Sequence, residues 1–325
     1  MEMRYLILKI IFIFGFILPV FGQDIYPIKP VRLIVPFPPG GGTDAVGRIV
    51  AQKLSERWGQ NVLVDNRPGG DTIIGINAAA KSSPDGYTLV MLGTTFAINA
   101  SRRNLPYDPI KDFDVVSNIA KSYYVLVMHP DVPANNLQEL VALAKLKPGS
   151  LNYGSTGNGS TPHLGTELLS KMAGIKMQHI PYKGSGPLTI DLLSGQIQLG
   201  FNNTISAMVP LIANGKLKAV AVSSEKRIPT LPDIPTFSEA GLPGNYELLT
   251  WFSLAVPSGT PKSIIDKIAK DMSIIMASPD TIELMGRQGM EPLISTSPSQ
   301  AASLVRSEIA KFSDIVKSAN INFDN

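Results

Sequence analysis

The sequence predicts an α/β protein of two domains. Three observations point there. Short β-rich apolar runs alternate with helical stretches along the chain. One event, a strand leading through a glycine-rich turn into a helix, occurs at 31–58 and again at 151–172. Finally, the chain that remains after an N-terminal export segment has about 300 residues, enough for two domains of ordinary size.

The elements follow in order. The run 31–37 (VRLIVPF) reads as a buried strand. Pro38 to Gly42 form a turn, and Thr43 is placed to cap a helix over 43–58, where Val46, Val50, Leu54 and Trp58 recur every four residues before Gly59. A strand at 61–65, a short helix at 73–81 and a strand at 87–92 complete the first series, which predicts a parallel sheet covered on both faces. The rhythm restarts after Asp112. A strand is expected at 124–128 and a helix at 137–145 capped by Asn136. Residues 151–153 lead into the loop 154–161, and Pro162 suits the first turn of a helix to 172. Helices at 187–193 and 208–213 alternate with strands at 197–201 and 218–222. A strand at 252–256 precedes amphipathic helices at 261–276 and 298–315, the last with Ser297 as its cap.

Residues 1–22 read as a cleaved secretory signal. Arg4 and Lys9 precede the apolar run 10–21, and Val20 and Gly22 are small enough for cleavage after Gly22. An uncleaved anchor is the alternative, but the stretch 5–21 is short for a bilayer and is interrupted by Lys9 and Pro19. Losing this segment lowers the formal net charge from +3 to +2, which is no nucleic-acid footprint. Cysteine is absent, excluding disulfides, thiolate metal sites and a lipoprotein anchor.

The two glycine-rich turns carry the chemistry. A helix N-terminus leaves backbone N–H groups unpaired and bears partial positive charge, and glycine lets a ligand approach them. Hydroxyls are added by Thr43 in the first turn and by Ser155, Thr156, Ser160 and Thr161 in the second. Facing each other across a cleft, the turns make an uncharged clamp suited to a carboxylate. The plainer alternative is that each turn only caps its own helix. Two matching turns on an exported chain without a catalytic set favour the clamp.

An ordered set of segments adds a resemblance. It comprises Tyr26-Pro27, Lys29-Pro30, 36–44 (PFPPGGGTD), 66–70 (NRPGG), 83–89 (SPDGYTL), 105–113 (LPYDPIKDF), 153–160 (YGSTGNGS) with His163, 180–184 (IPYKG), 231–236 (LPDIPT) and 239–243 (EAGLP). With these the chain resembles the Bug-type receptors of tripartite tricarboxylate transporters, a group of periplasmic solute-binding proteins. The resemblance implies two Rossmann-like α/β domains in a periplasmic-binding-protein-like arrangement, with the ligand cleft between them. The expected domains are 24–124 plus 246–325, and 125–245. The chain then crosses twice, near 122–124 and 246–251, to make a hinge, with Trp251 and Phe252 packing either there or in a domain core.

The resemblance further implies that Phe37, Gly41, Gly42 and Thr43 form one jaw around a carboxylate. Ser155, Thr156, Ser160 and His163 form the other, and Thr94 and Thr95 line the same cleft. The family commonly has an Asp-Asn pair where this chain has Asn202-Asn203. That aspartate can meet a ligand's ammonium group, so neutral Asn202 favours a carboxylate without an amine. Asp71 stands where the family commonly has glycine. The expected partners are a small carboxylate, membrane transporter subunits and a sensor protein, with no nucleic acid, and the chain is expected to be a monomer. The charged stretch Lys216, Lys218, Glu225, Lys226 and Arg227 is a docking surface for such a partner or simply a solvated face. The resulting expectation is an extracytoplasmic receptor, with no catalytic residues, cofactor or metal.

The strongest rival is an NAD-dependent oxidoreductase. Residues 40–45 fit G-x-G-x-x-A after a strand, and Asp65 ends the next strand about 20 residues on, where a ribose-binding acid belongs. Pro38 and Pro39, export and the unexplained second turn count against it. A serine hydrolase lacks G-x-S-x-G, and the three histidines are His129, His163 and His179. His129 reads as a connection residue, His179 as satisfied structure, and Ser160 with His163 as a cap beside a ligand-facing ring rather than a nucleophile pair. There is no H-E-x-x-H and no Walker lysine.

Overall fold

The computed structural model describes residues 26–325 except Arg103, Thr204, Asn245, 319–322, Asp324 and Asn325; the expected signal segment lies outside the described residues. Two sheets organise the chain. The first contains β1 (Val31–Val35), β2 (Val62–Asn66), β3 (Thr88–Gly93), β4 (Phe113–Tyr123), β10 (Leu249–Pro257) and β11 (Glu291–Pro292), in the order β11-β4-β10-β3-β1-β2. The second contains β5 (Val125–Met128), β6 (Asn152–Ser155), β7 (Gln178–Pro181), β8 (Leu199–Asn202) and β9 (Lys218–Val222), in the order β7-β6-β8-β5-β9.

Both sheets are mixed, where the alternation of strand and helix predicts parallel ones. β1 runs parallel to β2 and β3, and β6 parallel to β7 and β8. β10 is antiparallel to β3 and β4, and β5 antiparallel to β8 and β9. The cause is connectivity. A helical crossover between adjacent strands dictates parallel pairing. β5 and β10 are the strands by which the chain passes between sheets, and neither is joined through a helix to the strand beside it.

Helices bury both faces of each sheet. On the first, α1 (Gly42–Trp58) and α8 (Lys262–Met276) place Val46, Val50, Leu54, Ile268 and Met272 against Leu33, Leu89 and Leu254. The opposite face takes α2 (Ile73–Ala80), α3 (Thr94–Asn99) and α10 (Pro298–Ser318), through Ile76, Phe96, Val305 and Phe312. On the second sheet, Tyr124, Leu126 and Met128 meet α4 (Leu137–Leu146) and α5 (Thr161–Ala173) on one side. Val125 and Val127 meet α6 (Ser185–Leu193) and α7 (Ile205–Ala213) on the other. This is the period of two that a strand imposes. Each large side chain buried in this way stabilises the fold by about 1.5–3 kcal/mol. α9 (Pro279–Arg287) packs beside α1 and α8. Leu164 of α5 is buried in the first sheet's cluster with Phe96, Trp251 and Val305, so α5 touches both halves.

The two crossings lie side by side. The Tyr124 N–H donates to the Ser223 hydroxyl at 2.8 Å, and that hydroxyl donates to the Leu248 carbonyl. One fully buried side chain therefore ties both crossing strands. The phenol of Tyr124 reaches Thr250 Oγ1 at 2.7 Å. Trp251 is buried, with its indole N–H on Glu308 Oε2 at 3.0 Å.

Three caps expected from sequence divide. Asn136 caps α4 through the Glu139 N–H, and Ser297 Oγ accepts from the Gln300 N–H at 3.3 Å. Thr43 instead lies inside the first turn of α1, which begins at Gly42 after Gly41 and has no side-chain cap. The stretch of surface charge is partly committed to structure. Lys218 donates to the Val132 and Ala134 carbonyls, both at 3.0 Å, and Arg227 pairs with Glu239 at 2.9 Å.

Candidate functional site

A cavity of about 500 Å³ lies where the two sheets' loops meet. Four helices begin at its wall: α1 after Gly41, α3 after Gly93, α5 after Ser160 and α6 after Gly184. None of the four starts carries a side-chain cap. Unpaired N–H groups and the positive ends of the helix dipoles are therefore concentrated on one space. None of the described residues that line it is charged. Such a wall binds an anion through backbone and hydroxyl donors rather than by ion pairing.

Most of the residues singled out from sequence meet here. Phe37, Gly41, Gly42 and Thr43 line one side, with Thr94 and Thr95 beside them. Thr156, Ser160, Asn202 and Asn203 line the other. The Ser160 hydroxyl oxygen is buried and has no hydrogen-bond partner among the described residues. The Thr94 hydroxyl is already used, donating to the Leu249 carbonyl at 3.3 Å and accepting from the Trp251 N–H at 3.1 Å. Asn202 is buried, with its amide 3.5 Å from Thr189 Oγ1.

Ser155 and His163 do not reach this cavity. Ser155 is fully buried, and its hydroxyl lies 2.6 Å from His179 Nε2 and 2.9 Å from the Gly157 carbonyl. His163 Nδ1 accepts from the Gly159 N–H at 2.9 Å. Both brace the second turn from behind. Burial pushes the His163 pKa down, with Glu167 opposing, and pushes that of His179 down to about 4, with the neighbouring His163 adding to the effect. Both rings are thus held neutral.

Sequence reasoning missed several residues at the wall: Tyr124 and Thr250 on the crossing strands, Phe201, Ser185, Gln288 and Met290. Ser185 follows directly on the 180–184 segment, so that motif already marked its place. It also missed Asp44, which shapes the first turn. Its carboxylate accepts from the Gly40 N–H, Arg48 Nε and Asn66 Nδ2, each at 2.9 Å. Asn66 Nδ2 also donates to the Phe37 carbonyl at 3.1 Å. Burial raises the Asp44 pKa, but the bonds from Arg48, Gly40 and Asn66 outweigh it and hold the carboxyl below its usual range.

Asp65 is elsewhere. It pairs with Arg67 at 2.8 Å and with Arg32 at 4.0 Å, outside the cavity, so it does not serve the glycine turn as a ribose-binding acid does. A second cavity of about 330 Å³ adjoins the first and shares Phe37, Thr95, Thr156 and Ser160 with it. At its wall Asp71, in left-handed backbone at φ 50°, pairs with Arg102 at 2.6 Å.

Comparison with known proteins bears on the family and the fold. The family model described as "Tripartite tricarboxylate transporter family receptor" matches residues 46–321. The Bordetella pertussis protein BugT is 36% identical over 299 residues, covering 91% of each chain. Among solved structures, R. palustris Rpa4515 with adipate has a TM-score of 0.81 at 35% identity, covering 91% of this chain and 99% of that one. The periplasmic binding protein BugD scores 0.78 at 32% identity, covering 91% and 99%. Rhodopseudomonas palustris MatC with bound malate scores 0.76 at 29%, covering 90% and 100%. The fold is that of a periplasmic binding protein with two mixed α/β sheets.

Proposed function

The chain belongs to the tripartite tricarboxylate transporter receptor family, a family of solute-binding receptors rather than enzymes, and we propose that it captures a small carboxylate without an amine in the cleft between its two halves. The observation that carries this reading is the uncharged cavity at four uncapped helix starts, with the buried Ser160 hydroxyl left without a partner among the described residues. A carboxylate satisfies both, accepting hydrogen bonds from donors that have no other acceptor. Phe37, Gly41, Gly42, Thr43 and Thr95 hold it from one side, and Thr156, Ser160, Thr161 and Ser185 from the other. Asn202 and Asn203 face the rest of the ligand. Because Asn202 is neutral, it offers no countercharge to an ammonium group.

The halves 24–124 plus 246–325 and 125–245 act as hinged domains that close on the ligand about Tyr124, Ser223 and Leu248. The receptor is exported by residues 1–22 into the periplasm, works as a monomer, and hands its ligand to membrane transporter subunits or presents it to a sensor. Similarity to the adipate- and malate-bound proteins supports dicarboxylates of that size as first candidates.

The test is thermal unfolding of the chain from Gln23 with adipate, malate, aspartate, an aromatic acid and NAD. A ligand at about 100 times its Kd adds roughly 2.7 kcal/mol of stability, a rise of a few degrees. A rise with adipate or malate and none with aspartate or NAD is expected. A rise with NAD alone, or with aspartate alone, overturns the reading.

A further inference from the structure

The turn that carries Ser160 rests on two stacked imidazoles. The His163 and His179 rings lie 3.8 Å apart and 7° from parallel, with the Tyr153 ring 6.4 Å and 5.0 Å from them. Their hydrogen bonds differ in what they tolerate. The Gly159 N–H donates to His163 Nδ1 at 2.9 Å, so this nitrogen carries no proton. His179 Nε2 faces the Ser155 hydroxyl, which can donate or accept and therefore serves a neutral or a charged ring. A proton on His163 Nδ1 sets two donors against each other and frees Gly159. It also places a cation against a ring held 3.8 Å away in a half-buried site.

We propose that His163 is a proton-sensitive positioning residue: as a neutral imidazole it fixes Gly159, and with it Ser160 and Thr161 at the cavity wall, and proton uptake at its Nδ1 releases the turn and weakens ligand binding. This rests on the carboxylate reading above. The groups around the ring are few. On its own helix Glu167 favours the proton, but that carboxylate accepts the Tyr153 phenol at 2.6 Å. His179 from β7 is stacked on the ring and is itself pushed down to about 4 by burial and by His163, so it stays neutral and brings no countercharge. From the first half, Phe323 packs against Gly159 and carries the Arg102 guanidinium 4.6 Å from its ring centre, a further positive charge on that side. The sign follows from burial. The folded chain holds His163 neutral below its ordinary value of 6.5, so the bond to Gly159 is intact above that pH and is lost as pH falls through the lowered folded value.

The test compares the wild-type chain with His163→Asn, whose side-chain oxygen accepts from Gly159 without titrating, and with His163→Ala. The Gly159 amide resonance, followed without ligand from about pH 7.5 to about pH 5, is expected to move with the His163 ring protons in the wild type and to stay still in His163→Asn. Adipate and malate affinities are expected to fall about tenfold further over this range in the wild type than in His163→Asn. The ligand's own titration cancels in that ratio. His163→Ala is expected to bind more weakly at both pH values. An amide that does not titrate, or equal affinity ratios in wild type and His163→Asn, overturns the proposal. Because the amide signal needs no ligand, it tests the release of the turn by itself, so a failure of the switch is told apart from a failure of the carboxylate reading.

Discussion

Ser160 immediately precedes α5, with its hydroxyl oxygen buried and without a partner among the described residues. An unsatisfied buried hydroxyl costs stability in the empty protein and repays it only when an acceptor arrives. Ser160→Ala is therefore expected to weaken carboxylate binding roughly tenfold to a hundredfold, the loss of one hydrogen bond to a charged group. Its unfolding temperature without ligand should be equal or higher. Calorimetric titration with adipate and a melting curve check both; unchanged affinity would remove Ser160 from the site. At this scale, Ser160, Thr156 and Thr43 were legible because helix starts announce themselves through glycine, serine and proline. Ser155 was not. It ends a strand, and only the pleat of β6 against β7 decides which way its hydroxyl points. Tyr124 and Thr250 were equally hidden, because each belongs to an apolar run whose cavity-facing members nothing local distinguishes.

Among the elements, α1 shows how a glycine turn is kept rigid without a conventional cap. Asp44, two residues into the helix, reaches back to the Gly40 N–H while Arg48 and Asn66 hold it. It is a variant of the capping box, and its negative charge sits at the favourable end of the helix. Asp44→Asn is expected to lower unfolding free energy by about 1.5–3 kcal/mol near neutral pH, measured by urea denaturation. The difference should shrink in acid. The folded carboxyl lies below its unfolded value of about 3.9, so its contribution is present above that pH and lost as pH falls through the folded value. A difference that persists unchanged in acid would show that shape, not charge, holds the turn. The strands and helices with clear periodicity were legible in sequence. β4 was not, because Ser117, Asn118 and Ser122 interrupt its apolar pattern. In the fold these are buried, with Asn118 accepting from Ser253 at 2.8 Å and its N–H donating to Ser295 at 2.9 Å. Partners supplied from 135 and 177 residues away leave no local trace.

For the whole molecule, the decisive contact is Ser223. Its hydroxyl joins Tyr124 and Leu248, one on each crossing strand. Ser223→Ala leaves the Tyr124 N–H without its acceptor and the Leu248 carbonyl without its donor. It is expected to cost about 1–3 kcal/mol by calorimetry, with a shift in ligand affinity as the crossings loosen. Loss of neither would show that Ser223 does not hold the two crossings together. The two-sheet architecture was legible from the restart of the strand–helix rhythm, whereas the mixed strand directions were not. Pairing partners depend on where a returning strand lands, and β10 lands between β3 and β4.

That landing also sets an order of assembly. The five-stranded sheet is made from one uninterrupted stretch, Val125 to Val222, so all its strands are present before β10 leaves the ribosome. The six-stranded sheet stays split until β10 inserts between β3 and β4, where Phe252 pairs with Gly93 and Ala120, 159 and 132 residues earlier in the chain. Distant pairings of this kind close slowly, because a long loop must be ordered first. Until then the inner edges of β3 and β4 are unpaired strands that can pair with other chains. The element that brings the two halves together therefore also covers the facing edges of β3 and β4.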